Sequence, residues 1–111
     1  MLDQFAVKIP QEDIINDTKL KTDANAEDVC LWCNEDELNN YMNNLYANRN
    51  GHAFLQEGEY VRIQQKDIEA LIQSFENGEL HAVDKENMRE ALYFIKERIN
   101  LGESIFYSCS F

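Results

Sequence analysis

Phe5, Val7 and Ile9 recur at every second position, the spacing of a short half-buried strand, and Pro10 ends it. Pro10 also suits the first position of a short helix, with Ile14 and Ile15 as its buried contacts. Thr18–Glu27 is polar and small; it reads as a loop and as the segment best suited to be mobile. Asp28–Cys33 is an apolar run whose period leaves strand and helix start equally open. Asn34 followed by Glu37 fits a helix-capping pattern. Leu38, Tyr41, Met42, Leu45 and Tyr46 then fall on one helical face, opposite Asn39, Asn40, Asn43, Asn44 and Asn48, with Asn50-Gly51 as the end. Asparagine is a mediocre helix former, so packing must hold this helix in place.

His52–Gln56 and Glu59–Ile63 read as two extended arms around Glu57-Gly58, a β-hairpin. Lys66–Glu76 carries Ile68, Leu71, Ile72 and Phe75 at helical spacing and ends at Asn77-Gly78. Asp84 is suited to cap a further helix from Lys85 to about Leu101, whose buried face is Met88, Ala91, Leu92, Ile95 and Ile99. Gly102 is its expected stop. Ser104–Phe111 reads as a final strand with Ile105, Tyr107, Cys109 and Phe111 on one face, aromatic enough for a central place in a sheet. The expected fold is α+β: a single small domain over residues 1–111, with a mainly antiparallel sheet of three to four strands and three main helices on one face.

Composition adds the nature of the surface. A content of 44% hydrophobic and 11% aromatic residues excludes a disordered acidic tail. Asp and Glu total 21 against 10 Lys and Arg, for a net charge of −11. Such a surface repels nucleic acid and anionic lipid and attracts basic proteins. Residues 1–59 carry 12 acids and 4 bases, and residues 60–111 carry 9 and 6, so the first half is the more acidic. Its acids cluster at Asp23, Glu27, Asp28, Glu35, Asp36 and Glu37. Met1–Pro10 has no basic start or sustained apolar core of a leader, and no run approaches a membrane span. With an odd count of cysteines (Cys30, Cys33 and Cys109), this points to reduced thiols in a cytoplasm.

Chemistry is sparse. Cys30-Leu31-Trp32-Cys33 is a C-x-x-C, the pattern of a redox pair or half a zinc site. Only Cys109, His52 and His81 remain to complete a ligand set, and they are scattered; buried cysteines and surface histidines are the plainer reading. No phosphate-binding glycine loop, nucleophile elbow, zinc-helix or EF-hand pattern occurs. The expectation is a protein that is not an enzyme and needs no cofactor or metal.

Trp32 ahead of an amphipathic helix, Tyr60–Ile63 leading into Lys66–Ile72, and Ala91-Leu92-Tyr93-Phe94-Ile95 ahead of Gly102–Ser108 form a pattern across residues 30–110. This pattern resembles a family of small uncharacterised bacteriophage proteins. It departs from them at Glu79–Asp84, which lacks their Phe/Gly-rich loop. The resemblance implies a phage-encoded accessory protein acting on a host target, and it carries no catalytic residues. Together with the charge, it suggests an inhibitor of a nucleic-acid-handling or defence complex such as CRISPR. Its partner would be a basic host protein or nucleoprotein complex; it would bind neither nucleic acid nor membrane directly. The expected contact residues are Asp28, Glu35, Asp36 and Glu37, with Tyr41 or Tyr46 beside them as anchors. An immunity protein or antitoxin against a basic nuclease, and a small cysteine-dependent metal or redox protein, are the alternatives.

Overall fold

Five successive residues of the last strand, Ile105–Cys109, are buried, and the sheet is assembled around them. The structure is a computed structural model and describes residues 1–50 and 54–111. The elements are β1 (Asp3–Lys8), a 3₁₀ turn (Gln11–Asp13), β2 (Ile14–Asn16), β3 (Lys19–Leu20), β4 (Glu27–Cys33), α1 (Asp36–Asn50), β5 (Val61–Ile63), α2 (Gln65–Glu76), α3 (Lys85–Asn100) and β6 (Ile105–Ser110). Four strands form one antiparallel sheet in the order β4-β1-β6-β5. β6 is therefore interior, as its aromatic content suggested.

The three helices cover one face. Leu38, Met42 and Tyr46 of α1, Ile68, Leu71, Ile72 and Phe75 of α2, and Met88, Leu92 and Ile95 of α3 meet Ala6, Trp32, Val61, Ile105, Tyr107 and Cys109 from the sheet. The apolar stripes read from the sequence are the ones that pack. Asp84 caps α3 by accepting from Asn87 N–H (3.0 Å). Gly78 and Gly102 leave α2 and α3 with φ of 79° and 92°, a backbone conformation that a side chain would strain.

The other face has its own small core, which the sequence pattern did not reveal. Val7, Ile9 and Phe106 are buried there against Phe5, Ile14, Leu20 and Tyr60. The cover is the β2–β3 hairpin, closed at Asn16, whose side chain accepts from Thr18 N–H (2.9 Å). This corrects the expected helix after Pro10. Only one 3₁₀ turn forms, and Ile14 and Ile15 lie in β2, with Ile15 53% exposed. Within Thr18–Glu27, Lys19–Leu20 form β3, and Asn25 N–H donates to the Asp13 carboxylate (3.0 Å). Phe111 lies beyond the end of β6 and is exposed.

The expected hairpin around Glu57-Gly58 also differs. The turn exists, with Glu59 N–H donating to Gln56 O (3.1 Å), but Phe54, Leu55 and Gln56 of its first arm are not in a strand. Residues 52 and 53 of that arm lie outside the described residues, as does the expected Gly51 end of α1. In the rest, side chains take the amides that a ladder would need. Leu55 N–H donates to Asn43 Oδ1 (2.8 Å) and Gln56 N–H to Glu59 Oε1 (2.8 Å). Val61–Ile63 pairs with β6 instead.

A buried polar cluster joins sheet to helices. Tyr107 is fully buried; its hydroxyl accepts from Gln4 Nε2 (2.9 Å) and donates to Asn39 Oδ1 (2.8 Å). Asn39 thus belongs to the buried side of α1 and not to a solvent-facing asparagine face. Burial is the main reason the phenol of Tyr107 is held well above its ordinary value; the bond from Gln4 opposes the rise and nearby Cys109 adds to it. Folding therefore favours the neutral phenol. Its contribution to stability is complete below the unfolded value, about 10, and is lost as pH rises through the folded one. Tyr107→Phe is expected to cost about 1–3 kcal/mol in urea unfolding at neutral pH, because Asn39 loses its donor. The same substitution should flatten the loss of stability above about pH 10; a steep, unchanged alkaline limb would place its cause elsewhere.

Candidate functional site

The chain leaves Cys33 for α1 through Asn34, whose φ of 56° lies in the left-handed region. Asparagine tolerates this better than most residues. Asn34 does not cap α1. Its side chain accepts from Leu2 N–H (3.0 Å) and its N–H donates to Leu2 O (2.8 Å), tying it to β1. The first helical bond runs from Asn39 N–H to Glu35 O (3.1 Å), so Glu35 occupies the capping place. Gln4 holds both backbone groups of Glu35: its Nε2 donates to Glu35 O (3.0 Å) and its Oε1 accepts from Glu35 N–H (2.8 Å). The Glu35 carboxylate accepts from Val83 N–H (2.8 Å) and Asp84 N–H (3.0 Å).

This geometry divides the expected contact residues. Glu35 is only 2% exposed, and its carboxylate is spent on the loop before α3, so it is removed from any docking face. Tyr46 is equally buried and donates to the Glu59 carboxylate, so it is no surface anchor. Glu37 is half-buried and accepts from His81 N–H (2.9 Å). Tyr41 is half-buried and packs against the core; burial raises its phenol, Asp67 adds to that and Arg49 opposes it. Asp28 and Asp36 are exposed. Most of the length of β4 separates these two, about 17 Å from residue 28 to residue 33 at the rise of a strand. The run of acids in the sequence is therefore not one patch in space.

The cysteine pair also comes apart. Cys30 and Cys33 lie on an extended strand at odd spacing, so they face opposite sides of the sheet, about 10 Å apart along it. A disulfide needs Cα atoms within about 7 Å. Cys30 is half-buried and donates to Ala91 O (3.8 Å), and burial pushes its thiol up to about 11. Cys109 is buried and also raised, by burial first and then by Glu57. Only Cys33 is exposed. Among the described residues, no three His, Cys, Asp or Glu side chains converge as metal ligands; His52 lies outside them and His81 is exposed.

What the fold does bring together is a sheet edge, a groove of mixed polar and apolar lining, and acids outside the ion pairs. Ile9 N–H donates to Ser104 O (3.0 Å), which fixes the parity of β1: Asp3, Phe5 and Val7 turn their backbone groups to β6, and Gln4 and Ala6 turn theirs to β4. Their partners Trp32 and Cys30 thus bond inward, and Leu31 and Cys33 point outward. On that outer side Asn87 Nδ2 donates to Leu31 O (3.3 Å). The opposite edge of the sheet is closed: Arg62 N–H donates to Asp17 O (2.7 Å) and Arg62 O accepts from Arg49.

Beside the β4 edge runs a groove of about 360 Å³ lined by Val29, Cys30, Leu31, Asn87, Glu90, Ala91 and Phe94. A second, of about 460 Å³, continues past Leu31 and Asn87 to Asp3, Trp32, Cys33 and Asp84. Leu31 is 56% and Phe94 40% exposed. The sequence carried a signal for both. Leu31 falls in Val29–Cys33, apolar at every position, and Phe94 lies just off the apolar stripe of α3. What it lacked was the edge position of β4.

No protein-family model matches the chain, and neither does any curated protein or solved structure. No helix among the described residues is long and apolar enough to cross a membrane.

Two outcomes are expected. A thiol reagent added to native protein should modify one cysteine quickly and two only on unfolding, with Cys33→Ser removing the fast reaction; two fast thiols would contradict the strand placement. Glu35→Ala should lower stability by about 2–3 kcal/mol, whereas Asp36→Ala should stay within about 0.5 kcal/mol in the same urea titration.

Proposed function

We propose that this protein is an acidic, phage-encoded binder that inhibits a nucleic-acid-handling or defence complex of its host by occupying a basic surface meant for nucleic acid. The observation that carries this reading is the distribution of charge. Every arginine is held in an ion pair: Arg49 with Asp67, Arg62 with Asp17, Arg89 with Glu76 and Arg98 with Glu103. Lys8 also approaches Glu103 (3.9 Å). The exposed acids Asp3, Glu27, Asp28, Glu86 and Glu90 are outside these pairs.

Unneutralised surface carboxylates steer a basic partner toward the protein and speed association at low salt. Arg49 and Asp67 form the inward counterpart. Their contact (2.5 Å) joins the end of α1 to the start of α2, where Asp67 also accepts from Gln64 N–H (2.8 Å). The charged groups that stabilise the fold are thus different from those that present the acidic exterior.

The test is displacement. The protein is titrated into purified nucleic-acid-guided nucleases loaded with fluorescent single-stranded DNA, at about 50 and 300 mM salt. One or more should release DNA, with affinity falling about tenfold or more at the higher salt. Asp28→Lys combined with Glu90→Lys should weaken release without changing the melting temperature. Binding that leaves the DNA in place, or that salt does not weaken, would sink the competitive mechanism.

A further inference from the structure

We infer that the outer edge of β4 and its groove against α3 take an extended basic segment of a partner protein as an added antiparallel strand. This rests on the reading of the protein as a binder of basic partners, and it names the surface and the mode of contact. The Leu31 and Cys33 amides point away from β1, and every pairing in the main sheet is antiparallel, so an incoming strand continues an existing ladder. The β5 edge offers less, because Asp17 and Arg49 occupy both backbone groups of Arg62, whereas on the β4 edge Asn87 Nδ2 holds Leu31 O (3.3 Å) by a side-chain contact that the incoming strand replaces.

The chemistry of the groove selects the occupant. The exposed acids Asp3, Asp84 and Glu90 line it, and no Lys, Arg or His does. Apolar side chains on the helix side of the added strand would cover Phe94 and Ala91. Basic side chains on the far side would lie over Leu31 with their aliphatic stems and reach Asp3 and Asp28, which share that side of the sheet with Phe5 and Val7. A second copy of this chain fits poorly. Pairing β4 with β4 would bring together two molecules each of net charge −11 and oppose their lining acids.

The probe is a peptide of alternating lysine and valine, titrated into isotope-labelled protein and followed by NMR. On binding, the amides of Leu31 and Cys33 should exchange with solvent at least about tenfold more slowly, while those of Cys30 and Trp32, already bonded to β1, stay as they were. Strand parity supplies the control. In an antiparallel added strand the residues that share a face with Leu31, here the lysines, turn their N–H groups to β4. N-methylation of the lysine amides should therefore weaken binding about tenfold or more, and N-methylation of the valine amides should not.

Binding with no such parity, or without protection of Leu31 and Cys33, overturns strand addition but leaves the displacement of DNA as a separate result. Failure of the peptide to bind while DNA is still displaced does the same. Failure of both removes the binder reading as well. A concentration-dependent dimer in sedimentation that the peptide dissociates would overturn the choice of occupant.

Discussion

The side chain of Gln4 holds the two halves of this fold together. A glutamine amide has one acceptor and a donor pair, and all three are engaged: with Glu35 N–H, Glu35 O and the Tyr107 hydroxyl. Through Glu35 the cluster reaches Val83 and Asp84, and through Tyr107 it reaches Asn39. One fully buried polar residue thereby sets β1, β6, the start of α1 and the loop before α3 relative to one another. Each group in such a cluster is costly to leave unpaired in a dry interior, so the elements must arrive in one arrangement or lose several bonds together. Hydrophobic burial alone would permit α1 to shift along the sheet. Within the same interior, the indole N–H of Trp32 has no partner among the described residues; its contribution is packing, its ring tilted beside that of Tyr107.

The parts of the fold legible in the sequence are those with a local cause. α2 and α3 have apolar stripes wide enough to identify their buried faces, and the Asp84 cap and the glycines at 78 and 102 mark their ends. β6 was legible as interior because nearly every residue in it is aromatic, β-branched or small. The misreadings have non-local causes. Glu35 looks like a surface acid because its partners are backbone amides 48 and 49 positions away, and amides leave no mark on residue type. Asn43 reads as part of a polar helix face although it is spent on Leu55. The far-side core joins residues near the start of the chain to Phe106, so neither stretch announces it alone. Of the expected contact residues only Asp28 and Asp36 stand fully in solvent, for the same reason. A run of acids in sequence becomes a patch only if the backbone keeps it on one side, and here the strand, the left-handed Asn34 and the helix start scatter it.

The placement of opposite charges is equally uneven. Arginine, the residue best suited to forked hydrogen bonding, is drawn into the scaffold: Arg49 bridges Asp67 and Arg62 O, and Arg62 lies over the Phe106 ring. Arg89 and Arg98 cover Phe75 and Phe94 in the same way. The arginines thus shield aromatic surface and close the β5 edge, while most carboxylates, Glu35 and Asp67 excepted, lie outside the buried core. Each arginine is matched by a carboxylate, so the ion pairs cancel and the net charge of −11 is carried by the remaining groups.

The two edges of the sheet differ, and that difference limits how the molecule can assemble. A sheet open on both sides is a monomer for a fibre, since each added copy presents a fresh edge to the next. Here Arg49 and Asp17 terminate one side. Any strand pairing through the outer edge of β4 ends with the first partner, so that edge can stand without a strand neighbour and not seed polymerisation.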